Sequence, residues 1–173
     1  IVNLLQLSPD EKVMTVLPVK EFSAGKYIIT ATRKGTVKKT ELMAYSNPRS
    51  RGIIAQTVDE GDSLIAARLS DGERNIFLAT RNGKAIRFPE SDVRSMGRTA
   101  RGVRGMSLEG DDELIGMEVV SDSTTATLVT VTGNGYGKRT ALDEYRTQSR
   151  GGKGIITIKT TERNGKGVDI KLA

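Results

Sequence analysis

The sequence predicts an all-β fold: a propeller-like array of about three four-stranded blades. Two observations carry this expectation. Segment 27–40 recurs at 75–89 and again at 126–140, with the turn glycines Gly35, Gly83 and Gly135 lying 48 and 52 residues apart. The apolar residues, moreover, come in runs of four to seven rich in Val, Ile, Leu and Thr, bounded by glycine and acidic turns, without sustained helical periodicity.

Along the chain the strands are expected at 13–19, 27–32, 36–39 and 53–58 in the first copy, and at 64–69, 75–80, 85–88 and 103–108 in the second. The third copy places them at 114–120, 126–131, 136–139 and 155–160. A second repeat series, 1–7, 53–58, 103–108 and 155–160, has first residues spaced 52, 50 and 52 apart and keeps step with the first. Lys34-Gly35, Asn82-Gly83 and Asn134-Gly135 fall at equivalent hairpin turns, where the Asn-Gly pairs match type I′ geometry. The expected organisation is one repeat domain over 1–173. Residues 1–7 form the last strand of a preceding blade, 8–58, 59–108 and 109–160 form blades, and 161–173, with a strand at 168–172, starts a further one. Three blades cannot close a ring, so the chain reads as a piece of a larger array.

Composition narrows the function. The chain has 173 residues, 36% hydrophobic and 28% charged, with no cysteine and no histidine. Disulfide scaffolds and thiolate metal sites are excluded, and the commonest general base and zinc ligand are missing. No apolar run approaches the roughly 20 residues that span a bilayer as a helix. The expectation is a soluble chain with no catalytic residue, no metal site and no cofactor.

The formal charge is +6, and its placement matters more than its sign. Windows 33–51, 81–104 and 138–153 hold 18 of the 27 Lys and Arg but only 5 acidic residues, a net +13, so the rest of the chain carries −7. Each copy thus presents a cationic third strand and following connection. In copy one these are Arg33, Lys34, Lys38, Lys39, Arg49 and Arg51; in copy two, Arg81, Lys84, Arg87, Arg94, Arg98, Arg101 and Arg104. In copy three they are Lys138, Arg139, Arg146, Arg150 and Lys153. A basic stripe of this length suits a phosphate backbone, and 4% aromatic residues are too few for a base-stacking platform. Double-stranded DNA, held through its backbone, is the expected partner. A solvated, charged loop surface is the ordinary alternative for any single lysine; the repetition argues against it.

Other motifs lead nowhere catalytic. The sequence 133–137 (GNGYG) lacks the spacing of a dinucleotide loop and leads into a strand, and no Gly-Lys pair precedes Ser or Thr as in a P-loop. Tyr45 and Tyr145 share one repeat position with Val93, an interchange that reads as packing. The acidic runs 59–62 and 111–113 read as turns, without the alternating ligands of a calcium loop.

The most specific short stretch is 148–154, QSRGGKG, with weaker counterparts at 98–105 (RTARGVRG) and 50–52 (SRG). With 79–105 and 131–154, it makes the chain resemble the C-terminal DNA-wrapping, β-pinwheel domain of bacterial gyrase A subunits, in its middle-to-late blades. That family carries a basic loop of the form QRRGGKG, the gyrase A box. Gln148, Arg150, Gly151, Gly152, Lys153 and Gly154 match it and Ser149 departs from it, so the loop is box-like; adjacent glycines let a backbone approach a phosphate. The resemblance implies that Arg150 and Lys153 contact phosphates. It also implies that the chain itself bends and wraps duplex DNA without cleaving it. The parent would belong to an ATP-dependent type II topoisomerase that introduces negative supercoils. Its partners would be the remainder of the gyrase A subunit, joined through it to the B subunit, in the cytoplasm at the nucleoid and away from any membrane. The alternatives are the equivalent tail of topoisomerase IV, a decatenating relative, and a propeller that binds an acidic protein.

Overall fold

A computed structural model describes residues 7–9, 11–122 and 125–173 of the chain. Its strands are β1 (Tyr27–Thr32), β2 (Thr36–Glu41), β3 (Leu64–Ser70), β4 (Asn75–Thr80), β5 (Lys84–Pro89), β6 (Val103–Arg104), β7 (Leu114–Val120), β8 (Thr127–Thr132), β9 (Gly137–Ala141), β10 (Ile155–Ile156) and β11 (Gly167–Leu172). They form three antiparallel sheets, ordered β3-β1-β2-β6, β7-β4-β5-β10 and β11-β8-β9. The all-β, repeated architecture is the expected one.

The wiring is not. Each sheet is built on a hairpin, β1-β2, β4-β5 or β8-β9, and takes its first edge from β3, β7 or β11, the long strand that opens the next repeat. Thus Ile29 pairs Lys39 on one side and Arg68 on the other. The second edge of the first two sheets comes from one repeat further on: Val37 pairs Val103, and Ala85 pairs Ile155. The sheets therefore cross the segment boundaries expected at 58/59 and 108/109, because strands are exchanged between neighbouring repeats.

This exchange accounts for the strands that the sequence reading misplaced. Segments 13–19 and 53–58 have strand-like composition but are not strands. At their repeat positions a strand pairs with the hairpin of an earlier unit, as β3 and β6 do with β1-β2, and the described residues hold no hairpin before β1-β2. The expected strands at 103–108 and 155–160 shrink to two residues each, β6 and β10, before the chain dives between sheets. β11 does not open a further blade; it pairs β8 and completes the third sheet. Of the expected strand at 1–7, residues 1–6 lie outside the described residues and Leu7 is not in a strand.

The hairpin turns also differ from expectation. Type I′ requires positive φ at both central residues, and no described non-glycine residue has positive φ. Instead the Gly83 N–H donates to Thr80 O at 3.0 Å, and only Gly83, at φ 82°, is left-handed. That is a type I turn closed by a glycine bulge.

The sheets stack face to face. β4 shows why: Ile76 and Leu78 pack with Ile29, Ala31 and Val37 of the first sheet, while Phe77 and Ala79 pack with Leu128 and Ile170 of the third. A strand alternates sides every residue, so one buried on both faces is apolar at every step but its ends. All six residues of β4 are buried.

Candidate nucleic-acid interface

The basic connections hang on the outer edge of the preceding sheet. In the second copy the chain runs beside β2: Met96 N–H donates to Lys39 O at 2.9 Å, the loop 97–102 bulges outward, and Val103 rejoins the edge opposite Val37. In the third copy Gln148 N–H donates to Arg87 O at 2.8 Å, 149–154 bulges, and Ile155 rejoins opposite Ala85. Re-entry needs glycine. Gly102 and Gly154 have φ of 113° and 72°, and a Cβ on them would lie 2.5 Å from Val37 O and 2.4 Å from Ala85 O.

The loops are also laced to one another. The strip at 54–57 reaches the second loop: Gln56 Nε2 donates to Arg101 O at 2.6 Å, Thr57 Oγ1 donates to Thr99 O at 2.7 Å, and Arg98 Nη1 donates to Ile54 O at 2.7 Å. The second loop in turn meets the third: Gly151 N–H donates to Gly105 O and Ser107 Oγ donates to Gly151 O, both at 2.8 Å, and Arg150 Nη1 donates to Arg104 O at 2.5 Å. Three loops from three repeats thus form one continuous rim. Gln56, Thr57 and Ser107 are uncharged and carry no charge-pattern signal, so sequence reasoning passed over them.

The predicted cations separate into five groups. Arg49, Arg51, Arg94 and Arg146 on the connections and Arg104 at the end of β6 are exposed and make no ion pair among the described residues. Arg98, Arg101, Arg150 and Lys153 stand on the same loops with intramolecular partners. Arg150 uses Nε on Asp92 O at 3.1 Å as well as Nη1 on Arg104 O, so the box-like arginine also braces its own loop. Of the other box-like residues, Gln148 has its amide nitrogen buried without an acceptor among the described residues, and a Cβ on Gly152 would crowd the Ile86 side chain at 3.3 Å.

The hairpin-turn cations are matched to acidic turns. Arg33 lies 3.1 Å and Arg81 3.7 Å from Glu113, Lys34 Nζ donates to Glu60 O at 3.4 Å, and Lys84 lies 2.6 Å from Glu109. The Asp62 and Asp112 carboxylates accept the N–H groups of Lys34 and Asn82, both at 2.9 Å, which ties each acidic turn to a hairpin.

Lys38, Lys39 and Arg87, assigned to the stripe from sequence, are corrected: they face sheet interiors. Lys39 and Arg87 pair across their hairpins with Ile29 and Phe77, whose side of the sheet is the one packed on the next. Lys39 forms a buried pair with Glu90 at 3.1 Å and stacks 4.4 Å from the Tyr27 ring. Arg87 binds Asp122 at 2.5 Å and Leu142 O at 3.2 Å. The same position in the third sheet, Arg139, is exposed and donates to Thr127 Oγ1 at 2.6 Å; its neighbour Lys138 is exposed too. β9, which carries both, has no further strand on its outer edge among the described residues.

Lys38 is fully buried, and its Nζ donates to Ala55 O at 2.6 Å and Arg98 O at 2.8 Å, joining two rim segments from within. Burial, with the Arg98 guanidinium as the lesser cause, lowers its pKa from 10.5 to about 8. The unfolded chain therefore binds more protons than the folded one between about pH 8 and pH 10.5, and this site's contribution to stability rises with pH across that window. Measured by urea unfolding, the stability of the protein relative to a Lys38→Met variant is expected to increase from pH 8 to pH 10. A difference that stays flat would contradict the burial cost.

Tyr145, raised by the sequence as a nucleophile and read as packing, is buried edge-on to Phe77 at 5.2 Å, its hydroxyl bonded to Thr157. No helix among the described residues is long and apolar enough to cross a membrane.

Fold and rim together define a class: a repeat-built β domain of strand-exchanged, propeller-like units with a cationic outer edge. A family model described as DNA gyrase C-terminal domain, beta-propeller, matches residues 26–71, 74–121 and 126–171, each span running from a hairpin to the long strand, β3, β7 or β11, that pairs with it. The chain is 50% identical over 165 residues to the DNA gyrase A subunit of Salmonella typhimurium, covering 95% of this chain and 19% of that protein. It is 43% identical over 171 residues to the DNA gyrase A subunit of Staphylococcus aureus, covering 98% and 19%. Among solved structures, the C-terminal domain of DNA topoisomerase IV superposes with a TM-score of 0.90 at 29% identity, over 99% of this chain and 54% of that one. The DNA gyrase A C-terminal domain superposes at 0.87 with 24% identity, over 99% and 57%, a likeness of fold. The chain belongs to the DNA gyrase C-terminal domain family. It spans about a fifth of the length of these curated relatives.

Proposed function

We propose that this chain binds duplex DNA along the rim of its stacked sheets and bends it, as the wrapping part of a gyrase A subunit. The observation that carries this reading is the lacing of the three loops into one edge, which supplies a continuous row of cations to a continuous row of phosphates. Arg49, Arg51, Arg94, Arg98, Arg101, Arg104, Arg146, Arg150 and Lys153 are the residues we assign to it, with Lys138 and Arg139 at the far end. Bending 20–30 bp by 40–90° costs about 1–6 kcal/mol, which repeated phosphate contacts along successive units offset. Neither a metal ion nor a cofactor is needed for such binding, and the chain cleaves nothing.

In the intact enzyme this wrapping supports ATP-dependent negative supercoiling, with the remainder of the gyrase A protein and its B partner completing the assembly in the bacterial cytoplasm. The sequence relatives favour gyrase over topoisomerase IV: gyrase A subunits are 50% and 43% identical over nearly the whole of this chain. The test is a salt series of duplex binding. Affinity is expected to fall linearly on logarithmic axes, by about 0.9 decade per decade of salt for each phosphate neutralised, with little dependence on base sequence. Binding that ignores salt, or its absence at low salt, would refute the proposal and favour an acidic protein partner.

A further inference from the structure

Two cations at the apex of the rim are already held by acids, and by acids at one repeated address. Arg101 Nε lies 3.3 Å from Asp59 Oδ1, and Lys153 Nζ lies 2.8 Å from Glu109 Oε1. Arg101 and Lys153 are equivalent, each standing directly before the left-handed glycine that returns its loop to the sheet edge. Asp59 and Glu109 are equivalent as well. Each opens an acidic turn whose fourth residue, Asp62 or Asp112, donates its N–H back to the first residue's carbonyl, at 3.0 and 3.1 Å.

These pairs do not hold the fold together. Their side chains are 71% and 61% exposed in one case and 71% and 52% in the other, against 8% and 0% for Lys39–Glu90. Exposed ion pairs contribute little to stability. They do, however, place a fixed negative charge beside a cation that the rim would present to phosphate. Glu109 also takes Lys84 at 2.6 Å, and hydrogen bonds from Lys153 and then Lys84, with their charges, hold its carboxyl at about 2. It is therefore ionised at neutral pH in the free chain, where it holds both lysines.

We infer that Asp59 and Glu109 are internal counter-ions that compete with phosphate for Arg101 and Lys153, and so act as a built-in brake on affinity. A wrapping surface has to release its DNA as well as hold it, and an acid within reach of each apex cation receives that cation when a phosphate leaves. The inference rests on the duplex-DNA reading and adds to it a device that limits the strength of binding.

The experiment uses the full chain with Asp59→Asn, Glu109→Gln and the double variant, titrated with a fluorescent 40-bp duplex at several salt concentrations. Glu73→Gln, an exposed change of the same net charge at a residue with no rim partner, is the control. Removing one charge some 5 Å from a phosphate in a high-dielectric setting is expected to tighten binding about fourfold per site. The two effects should multiply, and the salt slope should steepen by up to about 0.9 for each cation released. Melting temperatures should stay within about 2 °C of the parent, since exposed pairs carry little stability. Tightening no greater than that of Glu73→Gln, or weaker binding, would overturn the brake and make these acids supports for the loop cations. A parent chain that binds no duplex at low salt would instead overturn the functional reading itself.

Discussion

Replacing Arg94, Arg101 and Arg104 together with glutamate is expected to lower duplex affinity by at least about a hundredfold near 0.1 M salt, for all sequences alike, and to flatten the salt slope by about 3. The three are exposed on the rim loop of the second repeat, and none supports the hydrophobic core. The segment that carries them is bonded to 54–57 on one side and to 150–151 on the other, so reversal places a negative gap in the middle of the track. Fluorescence anisotropy across a salt series reads both quantities, and circular dichroism reads whether the fold survives. A loss confined to particular base sequences would point to base readout and against phosphate contact. Glutamate at Lys39 should unfold the protein instead, because that cation is buried against Glu90.

Gly83→Val is expected to be the most damaging single change in the chain, costing about 3 kcal/mol or more. A Cβ there would stand 2.1 Å from Ile158 O and 3.1 Å from the Thr160 methyl, and φ is 82°. The backbone conformation alone costs a branched residue about 1–3 kcal/mol, and the overlap adds a comparable amount. Gly135→Val is the built-in comparison: same turn position, φ of 81°, but nothing within 4 Å of the new Cβ. It should show only the backbone cost. Melting temperatures falling by about 10 °C for Gly83→Val and by roughly half that or less for Gly135→Val would match. Equal losses would mean that the contact with residues 158–160 contributes nothing.

The repeat and the hairpins were legible in sequence because each depends on local chemistry. A left-handed glycine closes a turn, an alternating apolar run makes a strand with one buried face, and NIFLAT announces a strand buried on both. What misled was adjacency. Segments 13–19 and 53–58 have the composition of strands, yet a strand needs an edge to pair with, and that edge belongs to another repeat.

The division within the cationic stripe has the same origin. Lys38, Lys39 and Arg87 look like rim charges in a sequence; packing covers both faces of β2, so that Lys38 on one and Lys39 on the other are both buried. The acids that temper the rim, Asp59 and Glu109, lie 42 and 44 residues from their partners and look like ordinary turn residues until the sheets are stacked. Sequence alone determined that this protein is a repeated β array with a basic address in every unit, since turn chemistry and alternation act over a few residues. Only tertiary structure decided which strands share a sheet, which cations reach solvent and how three loops become one edge. Hydrogen-bonded pairing and burial depend on what lies across space, and across space the neighbours are set by exchange between repeats.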